Sequence, residues 1–188
     1  MRWDSLFGDM EAQFFADRTL AREAEVAERA RVEVAQFELA DRLRGALGRE
    51  VSITLNNGSK EAGSLGRVGA DWLVLNTATR QWLIPLHSVS YFENLGRLAR
   101  KPVNGPALVF PLASALRGLA RERLSVEVHV AAGAAGRVLS GVIDRVGKGF
   151  LEIAVTGGEA RRATAVTAVA TVAFRSLLGV GSASRRDY

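Results

Sequence analysis

The sequence contains no cysteine, which excludes a disulfide scaffold, thiolate metal sites and cysteine nucleophiles together. It has two histidines, His87 and His129, and four prolines, all between Pro85 and Pro111. Lysine is nearly absent: only Lys60, Lys101 and Lys148 occur, so arginine supplies the other 22 of the 25 cations. No run of about 18 apolar residues is present, and the longest candidate, Ala107–Leu116, is about half that length, so no membrane span is expected. The N-terminus, Met1-Arg2-Trp3-Asp4, carries no signal-like apolar region, and a cytoplasmic protein is expected. No Gly-x-Ser-x-Gly elbow, paired metal ligands or dinucleotide fingerprint appears, so the reading is of a non-enzyme with no cofactor, no metal and no catalytic residue.

What remains is an ordinary globular composition, 48% hydrophobic and 24% charged over 188 residues. The charge is uneven. Residues 1–50 hold 8 basic and 11 acidic residues, whereas residues 51–188 hold 17 basic and 9 acidic. The positive field therefore belongs to the later part of the chain, which points to a polyanion partner or to a plain solvated arginine surface.

Residues 9–44 contain neither proline nor glycine, and Ala16–Gln36 is dominated by Ala, Glu and Arg. These are good helix formers, so a long N-terminal helix is expected over 1–38; at about 1.5 Å per residue it would exceed 50 Å. One small domain cannot cover such a helix. The expectations are a homodimer formed through it, or a helix packed on its own chain.

The rest is an internal repeat. Leu39-Ala40-Asp41-Arg42-Leu43-Arg44-Gly45 matches Leu112-Ala113-Ser114-Ala115-Leu116-Arg117-Gly118 at an offset of 73, which also carries Val51–Leu55 onto Leu124–Val128. Gly63, Leu65, Arg67, Trp72, Leu73 and Leu75 match Gly141, Ile143, Arg145, Phe150, Leu151 and Ile153 at 78, and Ser88–Tyr91 match Thr171–Phe174 at 83. Each unit reads as a short helix with leucines at helical spacing, followed by about five strands. Val51, Ile53 and Leu55 alternate with Ser52 and Thr54, Asn57-Gly58 is a hairpin signal, and Gly66 and Gly69 predict a bent second strand. The second unit has a glycine-rich tip at Ala131–Gly136 and its last strands within Ala163–Phe174. Gly179–Tyr188 shows no periodicity and is expected to be a mobile tail.

Leu43–Gly58 followed by Gly63-Ser64-Leu65 resembles the Sm-like family, and Leu86-His87-Ser88-Val89-Ser90 is similar to the Lys-His stretch of its Hfq-like members. The resemblance covers about residues 39–95 and, through the repeat, 112–178. The whole chain also resembles a group of actinobacterial proteins. The Sm-like resemblance implies an α+β, mainly β fold: a long N-terminal helix, then two tandem five-stranded small barrels, each preceded by a short helix. The expected layout is helix 1–38, barrel 39–96, basic linker 97–107, barrel 108–178 and tail 179–188. Gly69 and Trp72 stand nearest to the family's base-contacting Asp and Asn, and Leu86 replaces the Lys, so only His87 carries over.

The family binds RNA, and the arginines give that expectation candidate residues. Arg67 and Arg145 are repeat-equivalent, and residues 97–123 hold Arg97, Arg100, Lys101, Arg117, Arg121 and Arg123 against Glu122 alone. The guanidinium fork suits phosphate oxygens. The candidate nucleic-acid contacts are therefore Arg67, His87, Arg97, Arg100, Lys101, Arg117, Arg121 and Arg145. Trp72, Trp82, Tyr91 and Phe92 are the aromatics that would stack bases, although Trp72 pairs with Phe150 across the repeat as a core residue would. The alternative function is a protein-interaction adaptor that oligomerises through the N-terminal helix.

Overall fold

A computed structural model describes residues 2–102, 110–133, 136–156 and 166–182. The chain divides into two compact units, Met1–Glu38 and Leu39–Tyr188. The first holds helix α1, Arg2–Ala35. Along it Arg29 pairs with Glu25 at 2.7 Å and Arg31 with Glu28 at 3.3 Å. Such exposed pairs add about 0.2–0.5 kcal/mol each to a helix that lacks internal breakers after Gly8. Met10, Phe15, Leu20, Val32 and Val34 of α1 are exposed.

The second unit contains α2 (Leu39–Gly45), β1 (Glu50–Leu55), β2 (Lys60–Val68), β3 (Trp72–Asn76), β4 (Gln81–Pro85), β5 (Val89–Glu93), α3 (Leu112–Glu122), β6 (Ser125–Val130), β7 (Arg137–Val146), β8 (Phe150–Thr156), β9 (Val166–Ala173) and β10 (Leu177–Ser182). Single 3₁₀ turns, Leu86–Ser88 and Phe174–Ser176, lead into β5 and β10. All ten strands join one antiparallel sheet in the order β5-β1-β2-β3-β4-β10-β6-β7-β8-β9.

This corrects the expected fold class. The body is not a pair of five-stranded small barrels but one continuous sheet. It is open, because its end strands β5 and β9 do not pair with each other. The join is β4 with β10, where Leu83 lies opposite Val180 and Trp82 opposite Gly181. The physical reason lies in the sequence of these two strands. Trp82-Leu83-Ile84 and Leu177-Leu178 are continuous apolar runs rather than alternating ones, and a strand of that kind is stable only when covered on both faces. Trp82 and Ile84 enter one core with Leu43, Ile53, Leu65 and Leu75, while Leu83 enters the other with Leu116, Val128, Ile143 and Ile153. Reciprocally, Leu178 of β10 enters the first core, and Leu177 and Val180 the second. Each such side chain contributes about 1.5–3 kcal/mol on burial, so the halves stabilise each other through this exchange.

The expected tail is also corrected. Leu177–Ser182 is strand β10, and Gly179 to Gly181 are buried within the sheet; residues 183–188 lie outside the described residues. Of the expected linker, residues 97–102 are described and 103–107 are not. Ala134 and Ala135 of the glycine-rich tip, and residues 163–165 of the expected last strands, are likewise outside.

The strand registers repeat residue for residue. Leu65 lies opposite Leu75 and Ile143 opposite Ile153, each followed by a bulge, at Leu65/Arg67 and Ile143/Arg145. Val51 faces Gly63 as Val126 faces Gly141. Ile53 faces Phe92 as Val128 faces Val180. The equivalence is therefore Val51 with Val126, an offset of 75, and Phe92 with Val180, an offset of 88. The offset of 73 is displaced by two residues in the first strand, where the alternating pattern matches more than one register, and the offset of 83 set Ser88–Tyr91 against Thr171–Phe174 of β9 and its following turn, whereas the counterpart of β5 is β10. In each β2-like strand the closest approach of the next strand falls at Gly63 and Gly141. A Cβ there would strike the carbonyl of Asn76 or Ala154, so only glycine admits the neighbouring strand this closely.

Candidate nucleic-acid interface

Helix α3 is set by its leucines. Leu112 and Leu116 are buried at i and i+4 in the second core, and the opposite face carries Arg117 and Arg121, both exposed. Its start is held from the other half of the sheet, where the Asp71 carboxylate accepts a hydrogen bond from the Leu112 amide at 2.7 Å. Pro111 precedes that amide and has no N–H of its own to satisfy. Asp71 lies in the turn between β2 and β3. In the same turn Ala70 N and Trp72 Nε1 donate to the Phe110 carbonyl at 3.1 and 2.8 Å. Three hydrogen bonds thus fix residues 110–112 against the Gly69–Trp72 turn.

The result is a groove of about 540 Å³ between α3 and the sheet, whose charged lining side chains are Arg67 from β2 and Arg121 from α3. Phe110 stands at it, 58% exposed, and Trp72, Val74 and Leu83 also line it. A second, mainly apolar cavity of about 390 Å³ shares Val74, Leu83 and Leu119 with it, so the two run on from one another beneath α3. Arg67, Arg117 and Arg121 have no acidic partner among the described residues. Arg117 lies one helical turn before Arg121, whose Nε donates to the Arg117 carbonyl at 3.4 Å.

The structure brings only part of the expected set together. Arg67 and Arg121 share the groove, and Arg117 adjoins it on α3. Arg97, Arg100 and Lys101 are exposed on a separate segment that runs along α2. There Arg100 N donates to Asp41 O at 2.8 Å, and Arg42 reaches the Gly96 carbonyl at 2.5 Å. Arg145 occupies the position equivalent to Arg67, but its guanidinium lies 3.8 Å from Asp144 and 3.9 Å from Glu152, which neutralises part of its charge. His87 is exposed in the 3₁₀ turn, and its carbonyl accepts from Asn56 Nδ2 at 2.8 Å.

Comparison with protein-family models, with curated proteins and with solved structures gave no match. The Sm-like resemblance rests on the residues quoted for it alone.

The aromatics are sorted differently from the sequence expectation. Trp72 and Trp82 are 6% and 4% exposed, so neither presents a face to a base. Trp72 rests on Gly69, where a Cβ would strike its indole. Tyr91 is exposed, on β5. Sequence reasoning missed Phe110, which looked like one residue of the apolar run Ala107–Leu116. The signal that marks it is the following Pro111, which stands as the N-cap of α3 and leaves Phe110 outside the amphipathic period of that helix.

Two polar features lie away from this groove. Asp41 and Arg44 form a buried pair at 2.7 Å, with Arg44 also donating to the Gly69 carbonyl at 3.3 Å. At the join of the two halves, Arg80 pairs with Glu127, and its guanidinium lies 5.2 Å from the Trp82 ring centroid. Burial pushes the Glu61 carboxyl above its ordinary value, with Arg80 opposing. Burial holds His129 below its ordinary value; Glu127 opposes this and Arg80 reinforces it. Among the described residues no three His, Cys, Asp or Glu side chains gather as metal ligands would, and no helix is long and apolar enough to cross a membrane.

Proposed function

We propose that this protein is a non-catalytic nucleic-acid-binding protein, and that its ligand is single-stranded RNA. The observation that carries the reading is the groove lined by Arg67 of β2, Arg121 of α3 and the exposed Phe110, the two arginines coming from different halves of the repeat and having no acidic partner among the described residues. Arginine offers a fork of donors to phosphate oxygens, and an exposed aromatic ring offers a stacking face to an unpaired base. A double helix has no free base face to give Phe110, which favours a single strand. Arg117, one helical turn before Arg121, extends the positive surface of the groove along which a phosphate chain would track, and Arg97, Arg100 and Lys101 form a separate exposed basic segment along α2.

The test is titration of the full chain with single-stranded RNA, single-stranded DNA and duplex at several salt concentrations. The expected result is binding that weakens steeply with salt, each phosphate contact on a single strand contributing about 0.7 to the log–log slope, and that prefers single strands to duplex. Binding that ignores salt, or no binding at low salt, overturns the reading. Capture of one protein partner by nuclease-treated chain, with no nucleic-acid affinity, would favour the adaptor instead.

A further inference from the structure

The two halves of the repeat differ in one buried aromatic. By register, β9 is the second copy of β4: Pro85 faces Trp72 as Ala173 faces Phe150, and Trp82 faces Leu75 as Ala170 faces Ile153. The first half therefore carries an indole where the second carries a methyl group. Trp82 is 4% exposed in the first core, with the Arg80 guanidinium 5.2 Å from its ring centroid. Ala170 instead lines a cavity of about 530 Å³. Small-molecule sites usually span about 300–1,000 Å³.

The lining of this cavity selects what would fill it. Its apolar wall comes from Val130, Leu139, Val155 and Ala170, which pack against the second core. Leu139 faces Val128 as Glu61 faces Ile53, so the acid that the first half holds at this place is gone from the second. Arg137 is the one charged side chain of the lining, and it has no acidic partner among the described residues. The remaining polar side chains are the hydroxyls of Thr167, Thr171 and Ser176, and Thr167 Oγ1 already donates to the Val155 carbonyl at 3.1 Å. No amide or carboxylate side chain lines the cavity. A nucleobase held against this wall would leave buried ring nitrogens and exocyclic groups unpaired, which is costly, whereas a phenyl or indolyl ring has at most one such group. The lining thus fits an aromatic ring bearing a single anionic group.

We propose that this cavity binds a small aryl carboxylate. Its ring takes the place of the missing indole against Ala170 and Leu139, and its carboxylate pairs with the Arg137 guanidinium, whose fork of donors matches the two carboxylate oxygens. The site is built on β6 to β9 and shares no lining residue with the groove that holds Arg67 and Arg121. It therefore stands independently of whether that groove binds RNA.

The test is calorimetric titration of the full chain with indole-3-acetate as the probe, beside indole, acetate and AMP. Saturable binding of indole-3-acetate at one site per chain is expected, with each comparator weaker by about tenfold or more. Arg137→Gln, at an exposed position, is expected to weaken binding about tenfold through loss of the charge-assisted contact, with an unchanged thermal melt. Ala170→Trp restores the side chain of the first half and is expected to abolish binding by filling the cavity. Leu139→Glu restores the acid of the first half and is expected to repel the probe. Absence of binding overturns the proposal. So does binding that is unchanged in Arg137→Gln or in Ala170→Trp. AMP binding as tight as that of indole-3-acetate, and lost in the same variants, also overturns it, because the site would then belong to a nucleotide.

Discussion

Trp82 and His129 meet edge to face, their ring centroids 4.5 Å apart and their planes inclined at 69°. They come from different halves of the repeat, on β4 and β6, and β10 runs between those strands. The contact exists because β10 carries Gly179 and Gly181 where larger side chains would stand. A Cβ on Gly179 would lie 3.2 Å from Trp82 Cε3. Aromatic rings that close over glycines of a neighbouring strand pin register and exclude water from the ladder below. Arg80 lies over the same indole and pairs with Glu127, so the join is stitched by one aromatic contact, one cation–π contact and one ion pair.

The stability of this join depends on pH through His129. Its folded-state value lies below the ordinary 6.5, so the unfolded chain binds the proton more readily than the folded one. Stability is full above about pH 6.5 and is lost as the pH falls from there through the folded value. The Glu61 carboxyl, held above its ordinary 4.5, acts oppositely: its contribution to stability appears as the pH falls through its folded value and is full below about pH 4.5. Thermal melts at pH 7.5 and 5.5 are expected to show a loss for the natural protein that shrinks in His129→Gln. An equal loss in both would place the acid sensitivity elsewhere.

Leu178 tests whether the halves are one cooperative body. It belongs to the second repeat by sequence but is buried at 4% exposure in the core of the first. Leu178→Ala is expected to cost about 2–5 kcal/mol by cavity formation. Hydrogen exchange should then accelerate in β1 to β3 as well as in β10, within a single melting transition. Faster exchange confined to β6–β10 would show that the halves unfold separately.

Asp71 is expected to matter for α3 and not for the sheet. Asp71→Ala removes the acceptor of the Leu112 amide and should cost about 0.5–2 kcal/mol, the usual range for a lost helix cap. Circular dichroism melts and the exchange of the first α3 amides would read this. Asp71→Asn, which keeps an acceptor oxygen, is expected to recover most of the loss.

Much of the local structure was legible in the sequence. Leucine spacing marked the helices that became α2 and α3, and Val51, Ile53 and Leu55 marked β1. A bend of β2 was expected from Gly66 and Gly69, and the bulge of β2 does fall at Leu65/Arg67, around Gly66; the backbone collision at Gly63 depends on the partner strand and leaves no trace in β2 itself. The join of β4 to β10 was not read. Trp82-Leu83-Ile84 is an apolar run, but its two-sided burial comes from a strand almost 100 residues away, and Gly179–Ser182 of that strand fall in the segment expected as a tail. The candidate site was half legible for the same reason. Charge counting found Arg67 and Arg121, but only the hydrogen bonds from Asp71 and Trp72 bring their two elements to one groove, and charge counting gave Arg145 the same weight as Arg67 without seeing Glu152.

The most direct test of the account is a single-stranded RNA titration of the natural protein beside Arg67→Glu with Arg121→Glu, at three salt concentrations. The groove is predicted to be the binding surface, so the variant should keep its melting transition and lose about one to two units of the log–log salt slope, with weaker binding at every salt. An affinity and slope unchanged in that variant would contradict the account.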